Sequence, residues 1–493
     1  MDIYQWIDSL ILYGKRNHLI DDLDTYYYIN AYLALFHLND YKQPNEHIDL
    51  PLPTILQELI QYAIQEKIID NTFESKDLFD TKIMGIMTPK PSEVIKRFYQ
   101  VLQENDSSEI STQYFYNLCK NVNYIRCDRI SKDIHFNYKS EYGTMNISIN
   151  MSKPEKDPND IKKLLKTIPS NYPKCMLCIE NENYSGRIGY PARENLRCIP
   201  ITLHQEPYYI QFSPYSYYEE HLICFHKKHF NMRINENTMD ELLDFVSLFP
   251  HYFIGSNADL PIVGGSILNH QHFQGGKAIL PMANATKVFI KESNQVKFYK
   301  LKWPLSVIRL VADEKSSLLT EAKKVLYKWR HYRNEALWII DEDENGIHNT
   351  ITPIVRKNQN AYEMDLVLRN NFTTSSRPLG CFHPQEKYWH IKKENIGLIE
   401  VMGLAILPSR LKKEMLILEK YLLNESITEE ERNQIEKHLD WANERFDKKK
   451  INKENVNKLI EDGIGEVYVN VLRDCAVFKD DHQEEFDNFI MNI

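Results

Sequence analysis

The sequence predicts an α+β fold, and three observations carry that prediction. Over roughly the first 120 residues apolar positions recur at the three-to-four spacing of helices. From about residue 134 the spacing shortens to strand-like alternation, and two successive passages each hold several short strands and one helix. A charged helical tail closes the chain.

At 493 residues the chain has room for two to four domains. The pattern divides it into a mostly helical region over 1–130, a first mixed unit over 131–295, a second over 296–408 and a helical tail over 409–493. Lys and Arg number 60 against 69 Asp and Glu, a net charge of −9 with both signs interspersed. No basic stripe points to a nucleic-acid partner, so an anionic ligand has to be met locally. The opening residues show no basic segment followed by an apolar one, and no signal peptide is expected. The longest apolar run, 396–407, contains Glu400 and falls short of a bilayer span. The 8 cysteines are too sparse for a disulfide scaffold, and a soluble cytoplasmic protein without a membrane partner is expected.

In the helical region Thr54 opens a capping-box pattern with Gln57. Ile55, Leu56, Leu59, Ile60, Ala63 and Ile64 then predict a helix to about Ile69. Stretches 21–38 and 92–102 predict two more, with Tyr26, Tyr27, Tyr28, Phe98 and Tyr99 as core aromatics. Ile147, Ile149 and Met151 mark one face of a strand after a turn at Tyr142-Gly143. Asp157 caps a short helix to about Ile168, with Pro158 at its first position. Strands follow at 196–203, 208–212 and 221–225, then a helix at 237–248 and a histidine-rich strand. The next passage repeats that texture with strand 306–312, helix 318–329, and strands 336–340, 349–355, 364–368 and 395–403. The likeness suggests a duplicated fold. Tail helices at 411–423, 429–446 and from 456 onward carry a solvated face.

The stretch 255–276 concentrates the polar chemistry. It holds Gly264-Gly265, then His270-Gln-His272-Phe-Gln274, then Gly275-Gly276. In one extended strand the two imidazoles and the amide project to the same side, about 6.6 Å apart. A solvated strand face carries such residues too, but four of the chain's 16 glycines flank these, and glycine sits where backbone approaches something closely. An imidazole nitrogen can attack phosphorus and hold the transferred group, which suits His272 as a nucleophile. Gln274 would donate to the phosphoryl oxygens, with the backbone of Gly264 and Gly265 against the same phosphate. Ser266 either bonds that phosphate or completes a turn.

Cys175-Met-Leu-Cys178 is a metal knuckle, a redox pair or two core thiols. With His229 and His270 it makes a Cys2His2 set of the kind zinc occupies tetrahedrally. Arg187, Arg193 and Arg197 are further candidates for phosphate contact. Glu400, if buried, needs a partner such as a sugar hydroxyl or an arginine.

The run Gly264-Gly265-Ser266-Ile-Leu-Asn-His270-Gln-His272-Phe-Gln274 resembles the histidine-triad superfamily, and the glutamine in third place resembles its nucleotidyl-transferring branch. With Tyr172-Pro-Lys-Cys175-Met-Leu-Cys178, Cys224-Phe-His-Lys-Lys-His229 and the segment 249–261, the chain is similar to the galactose-1-phosphate uridylyltransferase family in its second sequence type. The resemblance implies two histidine-triad-like antiparallel-sheet units with flanking helices. It also implies a ping-pong exchange of UMP between UDP-glucose and galactose 1-phosphate through a uridylyl-histidine. His272 matches the nucleophile, Gln274 the residue steadying the uridylyl phosphate, and Asn257 an asparagine near the nucleotide. Cys175, Cys178, His229 and His270 match the ligands of a structural zinc, and a homodimer without organic cofactor is implied as well.

Gln271 departs from the better-known branch, which has proline between the two histidines. His383 with His390 does not reproduce that branch's second metal site, so one metal is expected. Two other readings stay open on the residues alone. One is a dinucleotide phosphorylase or another histidine-dependent nucleotidyltransferase; the other is a non-enzymatic, zinc-stabilised nucleotide- or sugar-binding protein.

Overall fold

A computed structural model describes residues 1–151, 170–265 and 267–493. The helix expected at 157–168 and the residue Ser266 lie outside the described residues. No described helix is long and apolar enough to cross a membrane.

Helices Ile3–Arg16, Thr25–Leu35, Leu52–Gln65, Phe73–Met87, Pro91–Asn105 and Ser108–Asn121 build the first region. Each buries one stripe; Ile3, Ile7, Leu10 and Ile11 recur at helical spacing and are all inside. The third of these helices starts three residues earlier than the Thr54 pattern predicts. Pro51 caps it and Pro53 occupies its first turn, where a fixed φ and a missing N–H suit the helix start. It stops at Gln65 because Lys67 turns left-handed at φ 57°. The aromatic prediction needs correction: Tyr26 and Tyr27 are 69% and 71% exposed. Their helix turns Ile29 and Tyr32 inward instead, and three adjacent tyrosines cannot share one face of a 3.6-residue turn. Phe98 is buried, while its neighbour Tyr99 stays at the surface.

Ten strands form one sheet. They are β3 (Ile199–Leu203), β4 (Glu206–Phe212), β5 (Leu222–His226), β6 (Phe253–Gly255), β7 (His272–Gly276), β8 (Lys287–Ser293), β9 (Val296–Leu301), β10 (Val307–Ala312), β13 (Asn349–Asn358) and β14 (Ala361–Asn370). The remaining strands among the described residues are β1 (Ile134–Ser140), β2 (Gly143–Asn150), the short hairpin β11 (Glu342–Asp343) and β12 (Gly346–Ile347), and β15 (Leu404–Pro408). The order β3-β4-β5-β7-β6-β13-β14-β10-β9-β8 reads the same from either edge. In each half the first three strands form a meander and the fifth inserts between the third and fourth. One helix, Glu236–Leu248 or Lys315–Arg330, connects the third strand to the fourth. The repeated texture of the sequence is therefore a repeated topology, joined where β6 pairs antiparallel with β13 through Gly255 and Ile354.

Two expected strands are not strands. Residues 336–340 hold a 3-10 turn, Glu335–Leu337, followed by left-handed Trp338. Within 395–403 the Glu400 carboxylate accepts from the Gly397 N–H and closes a one-turn helix, Leu398–Val401. A buried apolar run does not reveal by periodicity which structure it takes. Left-handed Gly403 then turns the chain into β15, which pairs parallel with β2. The hairpin β1–β2 thus stands apart from the large sheet, in a three-stranded sheet with a strand more than 250 residues later.

The tail helices Arg410–Leu422, Glu429–Arg445 and Val456–Asp474 share that small sheet's core. The solvated face expected of the tail holds for the middle helix, whereas Val456–Asp474 buries Ile460, Ile464, Val467, Tyr468 and Leu472. Glu414 ties the first two together. It accepts from Lys437 (2.5 Å), His438 Nε2 (3.0 Å) and Arg410 (2.7 Å). His390 faces His438 across 2.7 Å between their Nδ1 atoms. Burial alone would raise the Glu414 carboxyl, but the bonds from His438 and Lys437 and the Arg410 charge hold it at about 2. A carboxyl depressed on folding stabilises the protein above its ordinary value of 4.5 and loses that contribution as pH falls towards 2. Glu414→Gln is expected to remove about 3 kcal/mol at neutral pH and to flatten the acid limb, read by chemical denaturation at several pH values.

Candidate active site and metal cluster

Four of the predicted residues meet. The ligand atoms of Cys175, Cys178, His229 and His270 all lie within 4.8 Å of one another. The two sulfurs are 3.6 Å apart, and sulfur-to-Nδ1 distances are 3.1 Å (Cys175–His270), 3.2 Å (Cys178–His229) and 3.7 Å (Cys178–His270). A tetrahedral zinc site would need about 3.8 Å between sulfurs and about 3.5 Å between sulfur and nitrogen, so the spacing fits. His270 Nε2 lies 2.8 Å from the His226 carbonyl, which only accepts, so that nitrogen carries the proton. The His270 Nδ1 lone pair is thereby turned to the thiols. Asn181 donates to the carbonyls of both Cys175 and Cys178 at 2.8 Å and shapes the knuckle. Burial, with Cys175 beside it, pushes the Cys178 thiol up to about 12. A bound cation reverses that balance by stabilising thiolate. The donor set is therefore one that can hold a metal ion.

The three polar residues of the motif do not share one strand. β7 begins at His272, and His270 precedes it in a bend whose backbone serves other segments. The Gln271 N–H donates to the Phe230 carbonyl (2.9 Å), a bond that proline at this position could not make. The Gln271 side chain also accepts from the Arg233 N–H (3.0 Å). His270 turns to the metal cluster, while His272 stays on the sheet. The His272 Nδ1 lies 2.8 Å from the His270 carbonyl and must donate to it, which leaves Nε2 as the basic atom of the ring. His272 is buried, and burial lowers its pKa to about 4. The imidazole is therefore neutral at neutral pH.

Gln274, two residues along β7, projects to the same side as His272. It lines a cavity of about 520 Å³ together with Asn257, Gly264 and Gly265. The opposite wall comes from the second half of the chain, through Lys392, Asn395 and Glu400, with Tyr217 at one side. Asn257 joins the two walls by accepting from the Leu398 N–H at 2.8 Å. Glu400 finds its partner in Lys392 (2.9 Å), not in an arginine.

The glycine pair is close-packed. A Cβ on Gly264 would stand 2.4 Å from the Ala258 carbonyl, and one on Gly265 would stand 2.8 Å from the Asn257 amide. Gly264→Ala meets rigid backbone and is expected to cost about 1–3 kcal/mol of stability in thermal denaturation. Gly265→Ala meets a side chain that can shift, and should weaken substrate binding more than stability.

The arginine expectations are corrected, for none of the three lines this cavity. Arg197 is buried with its guanidinium bonded to the carbonyls of Thr88, Pro89, Glu194 and Leu196. Arg187 donates to the Tyr172 carbonyl and Tyr184 hydroxyl and lies over the Tyr190 ring, bracing the knuckle. Arg193 lies over the Tyr124 ring. Sequence reasoning missed Lys392, whose only trace was a glutamate in an apolar run that needed a cation. It also missed His221, whose Nε2 is 3.4 Å from the Gln274 Oε1 and which no local spacing connects to residue 274.

Comparison with known proteins bears on this site. The family models described as galactose-1-phosphate uridyl transferase, N-terminal domain and C-terminal domain match residues 19–231 and 245–443. A galactose-1-phosphate uridylyltransferase of Clostridium perfringens is 47% identical over 479 residues, covering 96% of this chain and 95% of its own. One from Fusobacterium nucleatum is 43% identical, covering 100% of this chain and 99% of its own. One from Bacillus subtilis is 41% identical, covering 99% and 98%. Similarity of this extent, carried along the whole chain and through both walls of the cavity, means that the protein belongs to the galactose-1-phosphate uridylyltransferase family of enzymes.

Proposed function

We propose that this enzyme moves UMP from UDP-glucose to galactose 1-phosphate by a ping-pong reaction in which His272 carries the UMP. The observation that supports this most directly is the bond between His272 Nδ1 and the His270 carbonyl. It fixes the ring and leaves Nε2 as the attacking atom on the strand face that Gln274 shares. Nε2 attacks the α-phosphorus of UDP-glucose, the bond to the bridging oxygen breaks, and glucose 1-phosphate leaves with that electron pair. Positive charge on the uridylylated ring is stabilised by the carbonyl against Nδ1–H. A phosphate oxygen of galactose 1-phosphate then attacks the same phosphorus, the P–N bond breaks, and His272 is regenerated as UDP-galactose forms.

Gln274 donates to the non-bridging oxygens where charge gathers, and the Gly264-Gly265 backbone lets the phosphate approach. Asn257 borders the nucleotide. Cys175, Cys178, His229 and His270 would hold zinc, which ties three chain segments together and does no chemistry on the substrate. The chain's own part is to keep the His270 carbonyl where His272 needs it.

Incubation with UDP-glucose alone is the test. Intact mass should show one UMP per chain, labile to acid, with an equal amount of glucose 1-phosphate released. Galactose 1-phosphate should then discharge it. An enzyme that turns over but never carries UMP would contradict the covalent route.

A further inference from the structure

His221 precedes β5 and is clamped between two tyrosines. The Tyr217 ring is 5.4 Å away and nearly parallel, and the Tyr218 ring is 4.6 Å away on a tilted plane. The Tyr218 hydroxyl donates to the Gly275 carbonyl (3.1 Å), anchoring the clamp to β7. The imidazole is 3% exposed, and its Nδ1 is buried without a partner. Its Nε2 meets the Gln274 Oε1 across the β5–β7 ladder, in which Ile223 pairs with Gln274. Burial lowers the ring's pKa to about 4, so it is neutral and carries one proton.

A primary amide can face an anion in two ways. Turned with –NH2 outward it donates to a phosphoryl oxygen; turned with its oxygen outward it places a lone pair against negative charge. Nothing in Gln274 itself chooses between them. A neutral His221 with its proton on Nε2 does choose, because that N–H requires an acceptor and so holds the amide oxygen away from the cavity. The orphaned Nδ1 is consistent with this tautomer: a bare lone pair buried there costs less than an unbonded N–H.

We propose that His221 is a positioning residue for uridylyl transfer, fixing the Gln274 amide so that its –NH2 faces the phosphoryl oxygens. This rests on the reading of His272 and Gln274 given above. The role is not specific to one hexose; it serves whichever nucleotide phosphate reaches the strand.

The test compares His221→Phe, which keeps a ring between the tyrosines and removes the donor, with His221→Gln, whose amide nitrogen reaches near the position of Nε2. Single-turnover uridylylation by UDP-glucose should slow about 10- to 100-fold in His221→Phe, with the KM for UDP-glucose little changed, and His221→Gln should recover most of the rate. In a Gln274→Leu background, His221→Phe should slow the reaction no further. Full activity in His221→Phe, or the same slowing with and without Gln274, would overturn the assignment. Wild-type enzyme run alongside separates this from the covalent reading, since a wild type that never carries UMP refutes that reading alone. The histidine 15N spectrum of the unliganded enzyme then decides the point at issue independently of turnover. An Nε2–H tautomer at His221 supports the inference, and an Nδ1–H tautomer overturns it.

Discussion

Replacing His272 with glycine is expected to abolish UMP labelling and to lower the exchange rate by at least about 10⁴-fold, because no other group can take over as the attacking atom. The position of the ring argues for so large an effect. His272 is buried at the start of β7, one nitrogen held by the His270 carbonyl, with Gln274 on the same strand face lining the cavity. Loss of the ring leaves the cavity, the glycine pair and the knuckle intact, so substrate should still bind. A second variant separates chemistry from structure. In His272→Asn the side-chain amide can still donate to the His270 carbonyl, which preserves the local fold, but it offers no nucleophile. Its melting temperature should stay near that of the wild type while labelling is lost. Exchange at the wild-type rate in either variant would remove His272 from the mechanism.

Cys175→Ser and Cys178→Ser are expected to release the metal and to destabilise the protein by on the order of 4–5 kcal/mol, measured by metal analysis and denaturation. The four ligands come from three segments distant in the chain. The knuckle precedes β3, His229 follows β5, and His270 precedes β7. Without the metal, the two thiols and two imidazoles offer one another only weak hydrogen bonds, and the knuckle loses its bonds through the ion to the paired segments around His229 and His270. The damage should reach the reaction as well, since the His270 carbonyl that orients His272 is fixed from the far side of the same residue. Chelation of wild-type protein should reproduce both losses. Cys224→Ser is the control: Cys224 is fully buried in the core of the sheet and is not one of the four clustered ligands, so its replacement should leave metal content unchanged. Equal metal content in Cys175→Ser and wild type would mean that the cluster is not a metal site.

Much of the site was legible because its chemistry depends on residue type. Two cysteines at a knuckle spacing and unattached histidines imply one another through what a metal accepts, however far apart they lie. His-x-His-x-Gln between glycine pairs likewise marks a candidate phosphate site in a few residues. The helices of the first region were legible from apolar spacing, and the misreadings there were local. Helical periodicity places Tyr26 and Tyr27 inward only if the phase of the helix is misjudged, since Ile29 and Tyr32 claim the buried face.

What lay beyond the sequence concerns partners distant in the chain. The alternation at 143–150 identifies a strand but not its neighbour, and β15, which pairs with it, was hidden in an apolar run that reads equally as strand or helix. Residues 395–403 turn because Glu400 bonds to Gly397 and Lys392, interactions no period reveals. His221 reaches Gln274 through cross-strand register alone. By itself the sequence determined the residue chemistry of this protein: which side chains can bind a metal, attack phosphorus or donate to a phosphate, and which segments alternate or coil. The tertiary structure decided how the backbone accommodates that division, since the bend before β7 turns His270 towards the cysteines and leaves His272 on the sheet. Periodicity is a property of neighbours in the chain, whereas that geometry includes the backbone bond from Gln271 to Phe230, between residues about 40 positions apart.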